Sequence, residues 1–416
     1  MNETSLTTNT TTTTTCCIAG GGPAGMMLGF LLARAGIDVI VLEKHKDFFR
    51  DFRGDTIHPS TFELVYELGL LEDFLKIPHQ ELQQLGARFN ERFIKMADFS
   101  HLRVAKPALG FMPQWDFLNF LREKAIAFKN FRLLIETKFS QLLIENNKIK
   151  GVTASTPGGM ITIHADLVVG ADGRDSSVRE QAGLKVITTG APIDVLWFKL
   201  SKQEGDPLQS LGNFYYGKLL VMLDRTDYWQ CGYVIPKGNL AGIRERGLPA
   251  FYEELGEVVP FLKSRMNELK DWEQVKLLSV AIDHLDEWCR DGLLCIGDAA
   301  HAMSPVGGVG INLAIQDAVA AANILYKPLK EGKGVTTSTL RKVQQRRKFP
   351  ARVTQRMQVA IQKGIINGKV QTQKQQKPPM FMRMLNRWPR LRRLPARLIG
   401  MGVRPEHIRT PAVKNN

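Results

Sequence analysis

The stretch "TCCIAGGGPAGMMLGFLLARAGIDVIVLEK" constrains this chain more than any other. "TCCIAG" reads as a short buried strand. "PAGMMLGFLLARAG" is apolar on most faces and stops at a glycine, which predicts a buried helix. "IDVIVLEK" reads as a second buried strand. Strand, helix and strand in about 30 residues make a βαβ unit, which forces parallel pairing. The turn between strand and helix is built on Gly20, Gly22 and Gly25, spaced G-x-G-x-x-G. The first glycine permits the tight turn, the second lets backbone approach a pyrophosphate, and the third lets helix pack on strand. Pro23 and Ala24 open the helix. Its free N–H groups and dipole favour an anion there.

Glu43 ends the second strand, 18 residues after Gly25, with Lys44 next to it. An acid at that position accepts hydrogen bonds from a ribose diol and disfavours a 2′-phosphate. The fingerprint therefore selects a dinucleotide of the FAD or NAD kind over NADP at this site.

Two later segments repeat the strand-then-acid pattern. Asp172 follows "DLVVGA", and Asp298 follows "LLCIG". Both positions fall at the carboxyl ends of strands, where open α/β sheets bind ligands. The second segment continues through Pro305, Gly308, Gly310, Ile311 and Asn312 into a helix expected over about 311–325. Backbone N–H groups at such a helix start stabilise negative charge, and the glycines admit a flat ring close to the backbone. A carboxylate at Asp298 suits a sugar-alcohol chain. His301 reads as a packed loop histidine and is assigned no chemistry.

These residues carry a family resemblance. "GGGPAGMMLGFLLARAGIDVIVLEK", "VVGADGRDSSVR" and "CIGDAAHAMSPVGGVGIN" resemble, in order, three motifs of the single-component (class A) flavoprotein monooxygenases related to para-hydroxybenzoate hydroxylase. "FRGDTIHPSTFELVYELGL" is similar to the segment in which an arginine reaches the cofactor, here Arg53. "PQWDFLNFL" is similar to the segment whose Gln or Arg contacts it, here Gln114. The likeness covers about residues 15–325. It implies FAD as cofactor, with Gly20, Gly22, Pro23, Ala24, Gly25, Glu43 and Lys44 at its ADP half. Arg53, Gln114 and Asp172 would support the cofactor, and Gly297, Asp298 and the loop Pro305–Asn312 its ribityl chain and ring. It also implies NAD(P)H and dioxygen as co-substrates and a flavin hydroperoxide that hydroxylates an aromatic or other electron-rich substrate. A reductase of a lipid-like substrate, and a membrane-surface flavin protein without turnover, are the alternatives.

The expected architecture is α/β: a Rossmann-type FAD-binding domain (15–184 and 285–330) with an antiparallel β-sheet substrate domain inserted at 185–284. A threonine-rich arm, 1–14, is expected to be disordered, and a basic helical tail occupies 331–416. "YWQCGYVIP" reads as a strand lining the substrate cavity; Tyr215, Tyr216 and Tyr233 could each face it or belong to the core or the surface. A helical stretch is expected over 243–269. Five cysteines form no C-x-x-C, and no metal-ligating pattern occurs, which points to a reducing, cytoplasmic compartment.

Charge is uneven. The net formal charge is +15, yet from Arg341 onward there are 20 Lys+Arg against one acid, Glu406. The tail "MFMRMLNRWPRLRRLPARLIGMGVRP" interleaves apolar residues with arginines. It is expected to cover an apolar flank of the body, with peripheral contact to an anionic membrane as the other reading. No nucleic-acid motif accompanies the charge.

Overall fold

The computed structural model describes residues 10–49, 56–89, 92–207, 211–215, 217–225, 227–367 and 380–413. The first strand, Thr11–Ala19, is the centre of an eight-stranded sheet. It pairs in parallel with Val39–Leu42 on one side and with Gly159–Gly170 on the other. Phe131–Leu134 extends the first side, and Leu293–Cys295 the second, both also in parallel. The hairpin Lys138–Glu145 and Lys148–Thr156 pairs antiparallel on the amino half of Gly159–Gly170.

The central strand starts at Thr11, so Thr11–Thr14 are not part of a disordered arm: they pair with Thr162–Ala165. Threonine is β-branched and suits a pleated strand, so composition alone misjudged these residues. Residues 1–9 lie outside the described residues.

The fingerprint helix Pro23–Arg34 is buried on nearly every face. It packs against the sheet and against the long helix Val309–Lys330. That helix begins two residues before the expected start and runs five past the expected end. It is long and apolar enough to cross a membrane, but it is mostly buried inside the protein. The helix Pro59–Glu67 begins at a proline, with His58 as cap residue.

A second sheet of seven strands forms the other wall. Its order runs 276–279, 193–201, 228–236, 218–224, 211–215, 84–89, 92–98. Two of its strands, Gln84–Phe89 and Arg92–Asp98, come from the first part of the chain, outside the expected 185–284 insertion. The joint is parallel, Gly212 opposite Ala87, so the sheet is mixed rather than purely antiparallel. The stretch expected to be helical over 243–269 divides into Leu240–Glu245, Gly247–Val258 and a 3₁₀ turn, Pro260–Glu268. Gly247 at φ 81° and Pro260 break it.

Side chains alternate strictly across this sheet. Leu196, Phe198, Cys231, Tyr233, Leu220 and Met222 pack with Phe251 and Leu255 of the covering helices. Val195, Trp197, Gly232, Val234, Leu219 and Val221 face the opposite way, into a cavity. Beyond them the tail helices Thr337–Asn367, Met380–Arg387 and Arg393–Gly400 fold back on the body. All five cysteines are buried and free of disulfides. Burial pushes the Cys17 thiol up to about 12, as suits a packing residue.

Candidate cofactor and substrate site

Four neighbouring parallel strands end along one edge, and each delivers a singled-out residue there. Val39–Leu42 leads to Glu43, Thr11–Ala19 to Gly20, Gly159–Gly170 to Asp172, and Leu293–Cys295 to Gly297 and Asp298. Residues more than 250 positions apart thus meet because parallel strands share one carboxyl edge. The edge opens on a cavity of about 1730 Å³. That exceeds the roughly 300–1,000 Å³ of an ordinary small-molecule site, which leaves room for a dinucleotide and a second ligand.

Gly20, Gly22, Pro23, Ala24, Glu43, Lys44, Gln114, Asp172, Asp298, Pro305, Gly308, Gly310 and Ile311 all line this cavity. Arg53 lies outside the described residues. Gly25, Gly297 and Asn312 do not line it.

The fingerprint glycines divide by geometry. Gly20 has φ 111°, and a Cβ there would stand 2.3 Å from the Ala171 carbonyl oxygen. A Cβ on Gly25 would stand 1.9 Å from the Gly20 carbonyl oxygen, so this glycine serves the turn itself. A Cβ on Gly22 would meet no atom within 4 Å, because that position opens on the cavity. Glu43 is buried, and its carboxylate accepts from the Gly21 N–H at 3.2 Å and the His45 N–H at 3.0 Å.

Asp172 carries two duties. It lines the cavity, and its carboxylate also accepts from the Ser176 hydroxyl and, at 3.1 Å, the Val178 N–H. Burial pushes this carboxyl above the ordinary range, against those hydrogen bonds, which favour its charged form. Asp298 faces Arg174 at 3.7 Å, so the two strand-end motifs touch.

The glycine loop is fixed from behind. Gly307 and Gly308 both have positive φ, and a Cβ on Gly308 would strike Thr56 Oγ1 at 2.6 Å. Asn312 is turned away from the cavity, and its amide is fully engaged. Oδ1 accepts from His58 N–H at 2.9 Å and Thr61 Oγ1 at 2.8 Å; Nδ2 donates to the Thr56 and Gly308 carbonyls at 2.9 and 3.0 Å. It shapes the loop. Gly297 likewise serves packing, since a Cβ would meet Ala24 at 3.1 Å and Ala314 at 3.3 Å.

His301 is the packed histidine expected. It lies buried beside Trp288, and its Nε2 is 2.5 Å from Asp317 Oδ2. Asp317 also accepts from Arg347 of the tail at 2.9 Å. Burial would raise the Asp317 carboxyl, but His301 and Arg347 outweigh it and hold the carboxyl below its ordinary value.

Some residues of the site escaped sequence reasoning. His58 was one: its Nδ1 is 2.7 Å from the Ile399 carbonyl and its Nε2 3.1 Å from the Gly307 carbonyl, bridging the glycine loop to the tail. The apolar vault was another. Leu85, Ala87, Phe89, Met96, Val195, Trp197, Phe214, Val221 and Val234 line it, with Met357, Ile361, Phe381, Met382 and Leu385 from the tail. Phe89 and Phe214 stack with centroids 4.5 Å apart. The available signal for Val195 and Trp197 was their i, i+2 spacing in the strand "IDVLWFKL", which sets them on one face; nothing local marked the tail residues. Two of the three tyrosines suggested for the cavity are elsewhere. Tyr233 is buried on the opposite face with its hydroxyl on Glu254, Tyr215 packs on that same cluster, and Tyr216 lies outside the described residues.

A Rossmann-type sheet, a glycine turn open on the cavity at the start of a helix and a second glycine loop facing an apolar vault are the features of a flavin-dependent oxidoreductase. The chain belongs to the FAD-binding-domain family of FAD-dependent monooxygenases, whose family model ("FAD binding domain") matches residues 13–357. It is 34% identical over 314 residues to 6-methylpretetramide 4-monooxygenase of Streptomyces rimosus, covering 74% of each chain. It is 24% identical to para-nitrophenol 4-monooxygenase of Pseudomonas sp. strain WBC-3, over 79% of this chain and 81% of that one. Among solved structures, p-nitrophenol 4-monooxygenase from Pseudomonas putida shares the fold, with TM-score 0.74 and 20% identity over 92% of this chain and 97% of that one.

Proposed function

We propose that this protein hydroxylates an extended aromatic substrate, consuming NAD(P)H and dioxygen and releasing water. The supporting observation is the single continuous cavity, with a polar dinucleotide edge at one end and an apolar, aromatic-walled vault at the other. When bound, FAD supplies the redox chemistry, taking a hydride from NAD(P)H and delivering one oxygen atom of dioxygen to the substrate.

The chain's residues supply position, charge and dryness. Gly20 and Gly22 would hold the pyrophosphate at the start of the fingerprint helix, with Gly25 keeping the turn tight. Glu43 and Lys44 would hold the ribose end. Gln114 and Asp172 would line the cofactor's course, and Asp298 would take the sugar-alcohol chain. Pro305, Gly308, Gly310 and Ile311 would seat the ring at the start of the long helix, where backbone dipoles favour negative charge. Asn312 keeps that loop in shape. Phe89, Phe214 and Trp197 offer flat faces to a planar substrate. The vault walls exclude water, which strengthens every polar contact at the reacting end.

The Streptomyces relative is named for 6-methylpretetramide. A polycyclic phenol is the substrate class that this vault supports. The test is oxidation of NADH or NADPH by the flavin-loaded enzyme under labelled dioxygen, across phenols of increasing ring number. The expected product is heavier by one labelled oxygen atom, with larger phenols favoured. Cofactor oxidation that never yields an oxygenated product would refute the reading.

A further inference from the structure

The tail segment 380–400 contains six arginines and no acid. It folds into two short helices, Met380–Arg387 and Arg393–Gly400, both packed on the strand Arg92–Asp98. Arg392 fixes the joint between them, donating to the Leu385 and Asn386 carbonyls at 2.8 and 2.9 Å. The inward faces are used: Leu385 and Ala396 are buried, and Phe381, Met382 and Pro395 line the cavity.

The outward faces are the unexplained part. Met380, Trp388 and Leu394 are 70%, 53% and 73% exposed. Arg383, Arg387, Arg390, Arg393 and Arg397 lie exposed among them. Among the described residues, no carboxylate forms an ion pair with any of these five. Helical spacing sets Met380, Arg383, Met384 and Arg387 on one stripe. Basic and apolar side chains are thus exposed together along these two helices and the joint between them.

We propose that this face docks on an anionic phospholipid surface. Arginines answer lipid phosphates, while Trp, Leu and Met enter the boundary of headgroups and acyl chains. A nucleic acid would reward the charge but leave the apolar side chains in water. A second copy docked face to face would set arginines against arginines. An anionic bilayer satisfies both halves of the pattern.

The test floats the full chain with vesicles of phosphatidylglycerol and phosphatidylcholine in equal parts, or of phosphatidylcholine alone. It requires no turnover, so its outcome is independent of the proposed oxygenation. The protein is expected to bind only the anionic vesicles and to be released by about 0.5 M salt, which screens the attraction. Arg390→Glu with Arg393→Glu is expected to weaken binding about 10-fold or more, since each surface cation contributes on the order of 1 kcal/mol. Trp388→Ala with Leu394→Ala is expected to weaken it while leaving circular dichroism and bound flavin unchanged. Absence of wild-type flotation overturns the proposal. So does equal binding to neutral vesicles that the arginine changes do not touch, and so does a dimer lost in the Trp388/Leu394 variant without vesicle binding.

Discussion

Gly22 and Gly25 stand three positions apart in one motif, yet the structure gives them different work. A methyl on Gly25 collides with backbone at 1.9 Å, so the turn must open. A methyl on Gly22 meets only the cavity, and its φ of −73° suits alanine. Gly25→Ala is expected to lower thermal stability by roughly 1–3 kcal/mol and to weaken FAD at least about 10-fold. Gly22→Ala is expected to weaken FAD similarly while the melting temperature of the flavin-free protein stays unchanged. Flavin fluorescence titration and thermal melts separate the two; identical behaviour would break the distinction. His58 gives a second residue-scale prediction. Burial holds it down at about 4 against an ordinary 6.5, despite the two carbonyls that favour its charged form. The unfolded chain therefore takes a proton that the folded chain refuses. Stability is full above about pH 6.5 and falls as pH drops towards 4, by on the order of 3 kcal/mol. His58→Gln is expected to flatten that part of a urea-denaturation pH profile. The fingerprint glycines were legible because their spacing is local. His58 was not, since its partners lie at Gly307 and Ile399.

At the scale of elements, strand alternation separates the site from the core. In Ile193–Ser201 and Tyr228–Pro236 one set of side chains faces the covering helices and the other faces the vault. A shift of one residue in register would exchange them. The sequence leaves Tyr233 open between cavity, core and surface. Its place in the alternation puts it with Phe251. Gly232 lies on the cavity side, with the Trp197 ring 3.0 Å from where its Cβ would be. Gly232→Val should therefore push the indole into the vault. We expect a KM for the aromatic substrate raised about 10-fold, with FAD affinity unchanged, as overpacking of about 1–3 kcal/mol implies. Steady-state kinetics beside a flavin titration reads both numbers, and an unchanged KM would remove Trp197 from the substrate wall. The strands at 84–98 pair with each other, but their place in this sheet rests on Gln84–Phe89 pairing with a strand more than 100 residues later, and pairing across that distance leaves no local mark.

Across the whole molecule the tail is tied to the cofactor side by buried charge. Arg347 bonds Asp317 at 2.9 Å and approaches Glu406 at 3.4 Å, all three buried; Asp317 in turn holds His301 and accepts from the Gly297 N–H at 3.1 Å. Removing the cation takes one partner from each of two buried carboxylates, leaving Asp317 with His301 and Glu406 with Arg346 at 2.6 Å. Arg347→Ala is expected to cost about 3–5 kcal/mol, read as a lower melting temperature and faster proteolysis of the tail; a wild-type melt would show the network to be dispensable. The sequence by itself determined the parallel βαβ core, the dinucleotide cradle and the three motifs that meet at its edge. Those signals are periodicities and short spacings, which neighbouring residues enforce on one another. Only the tertiary structure decided which glycines face the cavity and which face backbone, that Asn312 shapes the loop rather than lining the cavity, and that residues of the basic tail line the vault. Each of those depends on contacts between segments distant in the chain, and such contacts are fixed by packing and sheet order rather than by any local pattern.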